Sequence, residues 1–195
     1  MKRLVVLIVF LAGMTLSAQD RADVSLSGSV LSMSSASNNN ITRMGDTSSG
    51  ALGSFRFWAT PRNGVELNYG HANLTQSITV AGSRTSIDSG MHEVSGAYIF
   101  RPKLTGHIQP FFGGGAAFLQ FNPKKDTTLS PALQSQNKPG ALYLAGIDYV
   151  FSRHLGVRAE FRGLLFAAPS FMNETFRSNT MHHTSEPTFG IVYRF

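Results

Sequence analysis

Two constellations in this 195-residue sequence contain residue types that could carry chemistry. The first is His183-Thr184-Ser185-Glu186, a His-x-Ser pair beside a carboxylate, the set a hydroxyl nucleophile, its base and an orienting acid would need. The second is Arg158-x-Glu160-x-Arg162, whose spacing of two puts all three side chains on one face of an extended chain. Arg56, Glu66, Glu93, Asp148, Glu186 and Arg194 fall at matching parity in other segments, so the nine form either a charged conduit or a set of mutually neutralising ion pairs. The six histidines are scattered, with no His-x-His and no acid-rich cluster, so no metal site is expected and they read as solvated loop residues. The absence of Cys excludes disulfides, thiolate metal sites, a Cys nucleophile and a lipid-anchoring cysteine.

What elements would position these groups? Helical spacing of apolar residues is poor from residue 23 onward, whereas alternation persists between clusters of Ser, Asn, Gly and Pro. Eight strands are predicted, over 23–33, 50–60, 65–73, 91–100, 107–120, 141–151, 155–166 and 185–195. Pro110 and Gly113-Gly114-Gly115 interrupt the fifth, but its alternation continues around them. Splitting each strand by parity gives one face that is apolar and uncharged, including Leu26, Phe57, Leu67, Val94, Phe112, Tyr149, Phe161 and Phe189. The other face holds the nine charged residues with Ser25, Ser27, Ser29, Asn68, His107 and Gln109, mixed with Gly, Ala and Leu.

A soluble barrel would enclose the apolar face and a membrane barrel would turn it to lipid. An eight-stranded barrel is just wide enough for side chains to fill, too narrow for more than a dozen Phe and Tyr rings, so the rings belong outside. In water that surface would aggregate, while in a bilayer it is the required apolar band with its aromatic girdle. Closure of the sheet satisfies every backbone amide within the hydrocarbon.

Connections alternate in length as such a barrel requires. Short links at 61–64, 101–106 and 152–154 carry turn residues, and long ones at 34–49, 74–90, 121–140 and 167–184 are rich in Ser, Thr, Asn and Gln. Both termini then face the periplasm. Residues 1–18 read as a secretory signal peptide, with Lys2-Arg3, an apolar run from Leu4 to Leu11 and small residues before Gln19. The run falls short of the ~20 residues a membrane-spanning helix needs, which argues against an anchor. The formal charge of +6 falls by two, to +4, once Lys2 and Arg3 leave with the leader. Basic residues never run beyond Lys124-Lys125, so a nucleic-acid partner is not expected. Lys124, Lys125, Lys138 and Arg177 could meet lipopolysaccharide phosphates.

Three segments carry a family resemblance: Gln109-Pro110-Phe111-Phe112-Gly113-Gly114-Gly115-Ala116; Ala145-Gly146-Ile147-Asp148-Tyr149 followed by Val157-Arg158-Ala159-Glu160-Phe161-Arg162; and Gly190-Ile191-Val192-Tyr193-Arg194-Phe195. With these the mature chain resembles the small eight-stranded outer-membrane β-barrel proteins, the OmpA/OmpX-like and opacity-protein-like group. The resemblance implies residence in the bacterial outer membrane. It also implies that Phe189, Ile191, Tyr193 and Phe195 form the carboxy-terminal signal read by the barrel-assembly machinery. It says little about activity, because the group mixes structural, adhesive and enzymatic members. Lipid A deacylases on this fold use a His-x-Ser pair with a Glu, but parity puts His183 and Ser185 on the outer face and Glu186 on the inner, unless Pro187 breaks the strand.

The expectation is an all-β chain: residues 19–195 form a closed eight-stranded antiparallel up-and-down transmembrane β-barrel, its lumen filled by polar and ion-paired side chains. Its role is structural or surface-interacting, carried by four long extracellular loops; outer-membrane lipid and lipopolysaccharide are its expected partners, with a host or surface ligand met through the loops. A narrow diffusion channel is the alternative and a lipid A-modifying enzyme a third reading. No catalytic residue, cofactor or metal is expected.

Overall fold

Strands are the only regular elements among the described residues of the computed structural model, which are 21–33, 36–38, 41–44, 47–80, 83–102, 106–123, 135–167 and 181–195. The predicted leader lies outside them. The strands are β1 (Ala22–Met33), β2 (Ala36–Asn38), β3 (Ile41–Met44), β4 (Thr47–Trp58), β5 (Asn63–Val80), β6 (Ser83–Phe100), β7 (Ile108–Pro123), β8 (Gln136–Val150), β9 (Leu155–Ala167) and β10 (Met181–Arg194). Eight of them close a ring. β1 pairs with both β4 and β10, β5 pairs with β6, and every neighbouring pair is antiparallel. The ring leaves no free edge along the barrel wall, which is what hydrocarbon demands of a sheet.

The two short strands are additions beyond the wall. β3 pairs with the far part of β5 from Ile41↔Val80 to Met44↔Ser77, and β2 pairs with β3. β5 and β6 pair from Asn63↔Phe100 to Val80↔Ser83. This corrects the reading of 74–90 as a loop. Their sequence alternates poorly, yet the backbones of 74–80 and 83–90 are paired with one another, and residues 81 and 82 lie outside the described residues. The strands elsewhere also run longer than predicted on this side, with β7 reaching Pro123 and β8 starting at Gln136.

The opposite end is tied down by short connections and backbone bonds. The Trp58 amide donates to the Arg21 carbonyl at 2.7 Å, Arg101 to Arg62 at 2.7 Å and Phe195 to Ala22 at 3.1 Å. Gly106 takes the left-handed backbone (φ 130°) in the β6–β7 turn. Within the wall, Gly115 pairs with Ala97 of β6, and a Cβ there would collide with the neighbouring Gly96 carbonyl oxygen. The glycine run that weakened the strand assignment therefore permits a close approach of two strands.

Parity divides inside from outside. Leu26 is 71% exposed and Phe189 64%, and Phe57, Leu67, Val94, Phe112, Tyr149 and Phe161 are likewise exposed, while Arg56 and Arg162 are wholly buried. His107, expected on the inner face, is exposed instead. It lies just before the first residue of β7, where strand alternation does not bind it, its ring beside Tyr149 and its Nδ1 2.7 Å from the Val150 carbonyl oxygen. The interior is also less uniformly polar than expected. The half nearest the termini holds the charges, but Leu31, Leu52, Leu119, Phe121, Leu142, Leu164 and Phe166 fill the other half. Medium-sized side chains at several levels pack this space, with Phe121 and Phe166 in contact at a ring separation of 5.8 Å.

Candidate functional site

The charged half of the lumen is built by inward positions on seven strands. β9 contributes Arg158, Glu160 and Arg162; β4, β5, β6, β8 and β10 contribute Arg56, Glu66, Glu93, Asp148, Glu186 and Arg194. β1 adds Asp23, which the sequence reading passed over although it shares the parity of Ser25, Ser27 and Ser29. Arg101, just past the end of β6, also enters. Parity does not reach a residue beyond a strand, so no sequence signal placed it there.

The lower cluster is centred on Asp148 and Arg158. Arg158 Nε donates to Asp148 Oδ1 at 2.8 Å and its Nη2 to Asp148 Oδ2 at 3.1 Å and Asp23 Oδ1 at 2.9 Å. Trp58 Nε1 donates to the other Asp23 oxygen at 2.9 Å. Arg56 pairs with Glu66, whose second oxygen accepts from Asn68 Nδ2 at 3.0 Å. Phe111 lies under both guanidiniums, 4.1 Å from that of Arg56 and 5.3 Å from that of Arg158. The aromatic face attracts the cations and fills the space that water would otherwise take.

The upper cluster is centred on Arg162, which donates to Glu93, to Glu186 and, at 3.0 Å, to Ser95 Oγ. Glu160 bridges the clusters, 3.5 Å from Arg56 Nη2 and 3.5 Å from Arg162 Nε. Five guanidiniums and six carboxylates thus share one buried network. Such groups, withdrawn from bulk water, are tolerated only with partners, and these chains of hydrogen bonds supply them.

The His183-Thr184-Ser185-Glu186 segment does not converge. β10 runs unbroken through Pro187, which pairs with Phe161, so Glu186 points inward to Arg162 while His183 lies on the outer face. There His183 Nε2 is 2.6 Å from Tyr143 Oη with the rings stacked. Tyr69 and His92 form a second outward pair at 2.9 Å, and His154 stacks on Tyr193 at the opposite rim. Amphipathic rings at two levels of the wall are what the membrane–water interfaces favour. Among the described residues no group of three or more His, Asp or Glu is arranged to hold a metal. Lys124, Lys125 and Arg177 lie outside the described residues, and Lys138 sits in β8 opposite the inward Leu119.

A closed eight-stranded wall, lipid-compatible outside and filled with charge and hydrocarbon inside, defines a small transmembrane β-barrel. The chain belongs to the outer membrane protein beta-barrel domain family, which matches residues 4–195. Its fold is similar to that of the outer membrane protein OprG from Pseudomonas aeruginosa, with a TM-score of 0.66 at 14% identity over 91% of this chain and 97% of that one. Neisserial surface protein A gives 0.65 at 13% identity, covering 89% and 97%. Ail, the attachment invasion locus protein of Yersinia pestis, gives 0.59 at 13% identity, covering 91% and 99%. No curated protein matches by sequence. The family places the chain in the bacterial outer membrane.

Proposed function

We propose that this protein is a closed barrel that anchors a surface-interaction module, with specificity carried by the segments at the end opposite its termini. The observation that carries this reading is the filled lumen: a solute would have to part the Arg158–Asp148 and Arg162–Glu186 pairs and then an apolar layer of Leu31, Leu119, Phe121 and Phe166. The nine charged residues act as a structural filling that fixes strand register, and outer-membrane lipid and lipopolysaccharide are the partners of the wall. A leader over residues 1–18 delivers the chain to the periplasm. There the outward-facing Phe189, Ile191 and Tyr193, with Phe195, serve the barrel-assembly machinery. Ail, which shares the fold, has been crystallised with the heparin analogue sucrose octasulfate, so a barrel of this shape can present a ligand surface.

The test has two arms. Protease treatment of intact cells should remove binding to a host or matrix surface while the barrel keeps its heat-modifiable migration on a gel. In planar bilayers the purified protein should show no stepwise conductance. Steps that change on Arg158→Ala or Glu160→Ala would replace this reading with a diffusion channel.

A further inference from the structure

The six histidines are scattered in the sequence, but the sheet brings two of them together on the outer wall. His71 of β5 and His92 of β6 are directly opposed across the antiparallel ladder, and both side chains point outward, His71 exposed and His92 half-buried. Their ring centres are 4.5 Å apart, with 37° between the planes. His92 Nδ1 lies 2.9 Å from Tyr69 Oη, which fixes the orientation of its ring. Gly90, one step above His92 on the same face, has no side chain to cover the pair, and even a Cβ there would stand 3.9 Å from His71 Cε1. Ala51 flanks His71 on β4 and Gln120 flanks His92 on β7.

The level of the pair on the wall decides what surrounds it. Leu67 and Tyr69 on β5, Val94 on β6 and Phe118 on β7 belong to the apolar and aromatic band. Just beyond them, cross-strand pairing runs His71, His92, Gln120 and Asn137 in one polar row. Such a row marks the boundary where hydrocarbon gives way to headgroups and water. Imidazole is a good ligand for zinc and copper, and two rings at facing positions of a rigid ladder are set for chelation. In a tetrahedral site with metal–nitrogen bonds of about 2.0–2.1 Å, two coordinating rings have their centres about 5 Å apart. The observed 4.5 Å therefore needs only a small side-chain rotation. When His92 Nδ1 donates to Tyr69 Oη, Nε2 carries the lone pair, and the hydroxyl is the outer partner that metal-bound histidines ordinarily have.

We propose that His71 and His92 chelate a divalent transition-metal ion of the zinc and copper class at the rim of the barrel wall opposite the termini. With no third His, Asp or Glu beside them among the described residues, the other coordination positions fall to water. Hard cations such as Mg²⁺, which prefer oxygen, do not suit this ligand set. The ion bridges β5 to β6 close to where these strands leave their wall neighbours, since β5 pairs with β4 only as far as Ala72 and β6 with β7 only from Ser89. Metal thereby clamps the foot of the extended β5–β6 ladder. The site requires neither surface binding nor conductance, so it stands apart from the function proposed above.

The experiment uses the full mature chain, without a polyhistidine tag, folded in an uncharged sugar detergent and titrated by calorimetry with Cu²⁺ and Zn²⁺, with Mg²⁺ as the control. Saturable binding of a single ion per barrel is expected for Cu²⁺ or Zn²⁺ and none for Mg²⁺, and the paramagnetic resonance spectrum of bound Cu²⁺ should show two imidazole nitrogens. His71→Asn and His92→Gln should each weaken binding roughly tenfold or more, because the second bond of a chelate forms at high effective concentration. The double variant should lose little beyond either single one, the non-additivity that marks two ligands of one ion. Tyr69→Phe, which leaves both imidazoles in place, should cost roughly tenfold. His107→Gln and His154→Gln, at the opposite rim, should leave the affinity unchanged. Heat-modifiable migration checks that each variant folds, and if one histidine variant does not, the other and Tyr69→Phe supply the comparison. Absence of saturable binding by both ions, affinity unchanged in the folded His71 or His92 variants, or loss of binding in the His107 or His154 variants would overturn the proposal.

Discussion

Replacing Arg162 with Met removes the cation at the centre of the upper cluster while keeping most of the side chain's bulk. Glu93 and Glu186, both buried, then face one another without the donors they now share, and Ser95 loses its partner. Glu160 retains Arg56 at 3.5 Å. Breaking a buried pair by deleting one partner costs roughly 3–5 kcal/mol, equivalent to about two to four decades in the folding equilibrium. Neutralising the stranded acids should restore much of this, because a buried ionic cluster exchanged for uncharged groups of like volume is often neutral in stability. The triple variant Arg162→Met, Glu93→Gln, Glu186→Gln is therefore expected to be more stable than Arg162→Met alone. Urea unfolding in phospholipid vesicles measures both, with Trp58, the single tryptophan of the chain, as reporter. Trp58 sits in the lower cluster on Asp23, so its emission follows the whole barrel rather than the mutated site. A loss below about 1 kcal/mol in the single variant, or a triple variant no more stable than it, would refute the view that these charges hold one another.

Phe111→Ala takes away the ring beneath Arg56 and Arg158 and opens a cavity in the lumen, so a loss of roughly 3–5 kcal/mol is expected in the same unfolding assay. Gly163→Ala places a methyl where the Tyr143 ring now lies, which should move that ring off His183 and cost roughly 1–3 kcal/mol, with NMR of His183 as the direct readout. Leu26→Arg puts a charge on the lipid face between Val24 and Val30 and should cost up to roughly 2–4 kcal/mol in vesicles, while folding in detergent is affected less.

The barrel was legible because two constraints act together on every transmembrane residue: the strand's period of two and the opposition of lipid to lumen. Leu26, Phe57 and Phe189 against Ser25, Arg56 and Thr188 state both in adjacent residues. Where the bilayer ends, the second constraint lapses, and residues 74–90 carry no alternation from which pairing could be read. The backbone, which has the same donors and acceptors whatever the side chain, pairs 74–80 with 83–90 in register. The lumen was legible by face but less so by level. Parity turns Leu142, Leu144 and Leu164 inward beside Arg162, but the sorting of charge to one half and hydrocarbon to the other depends on strand stagger around the ring. Arg101 lay beyond any such pattern, since its place follows from a turn stitched to its neighbour by one backbone hydrogen bond. The pairing of His183 with Tyr143 depends likewise on the offset of β10 against β9 and β8.

The long partnership of β5 with β6 sets a height. Eighteen residues of extended chain reach roughly 60 Å along the strand, whereas some 9–11 residues, inclined, suffice to cross the hydrocarbon. The remainder is held upright by its own ladder and buttressed by β3, so it behaves as a mast rather than a tether. Whatever that end displays is carried clear of the lipid headgroups at an elevation set by the ladder. A visitor meets it there without the entropy loss of first arresting a loose loop.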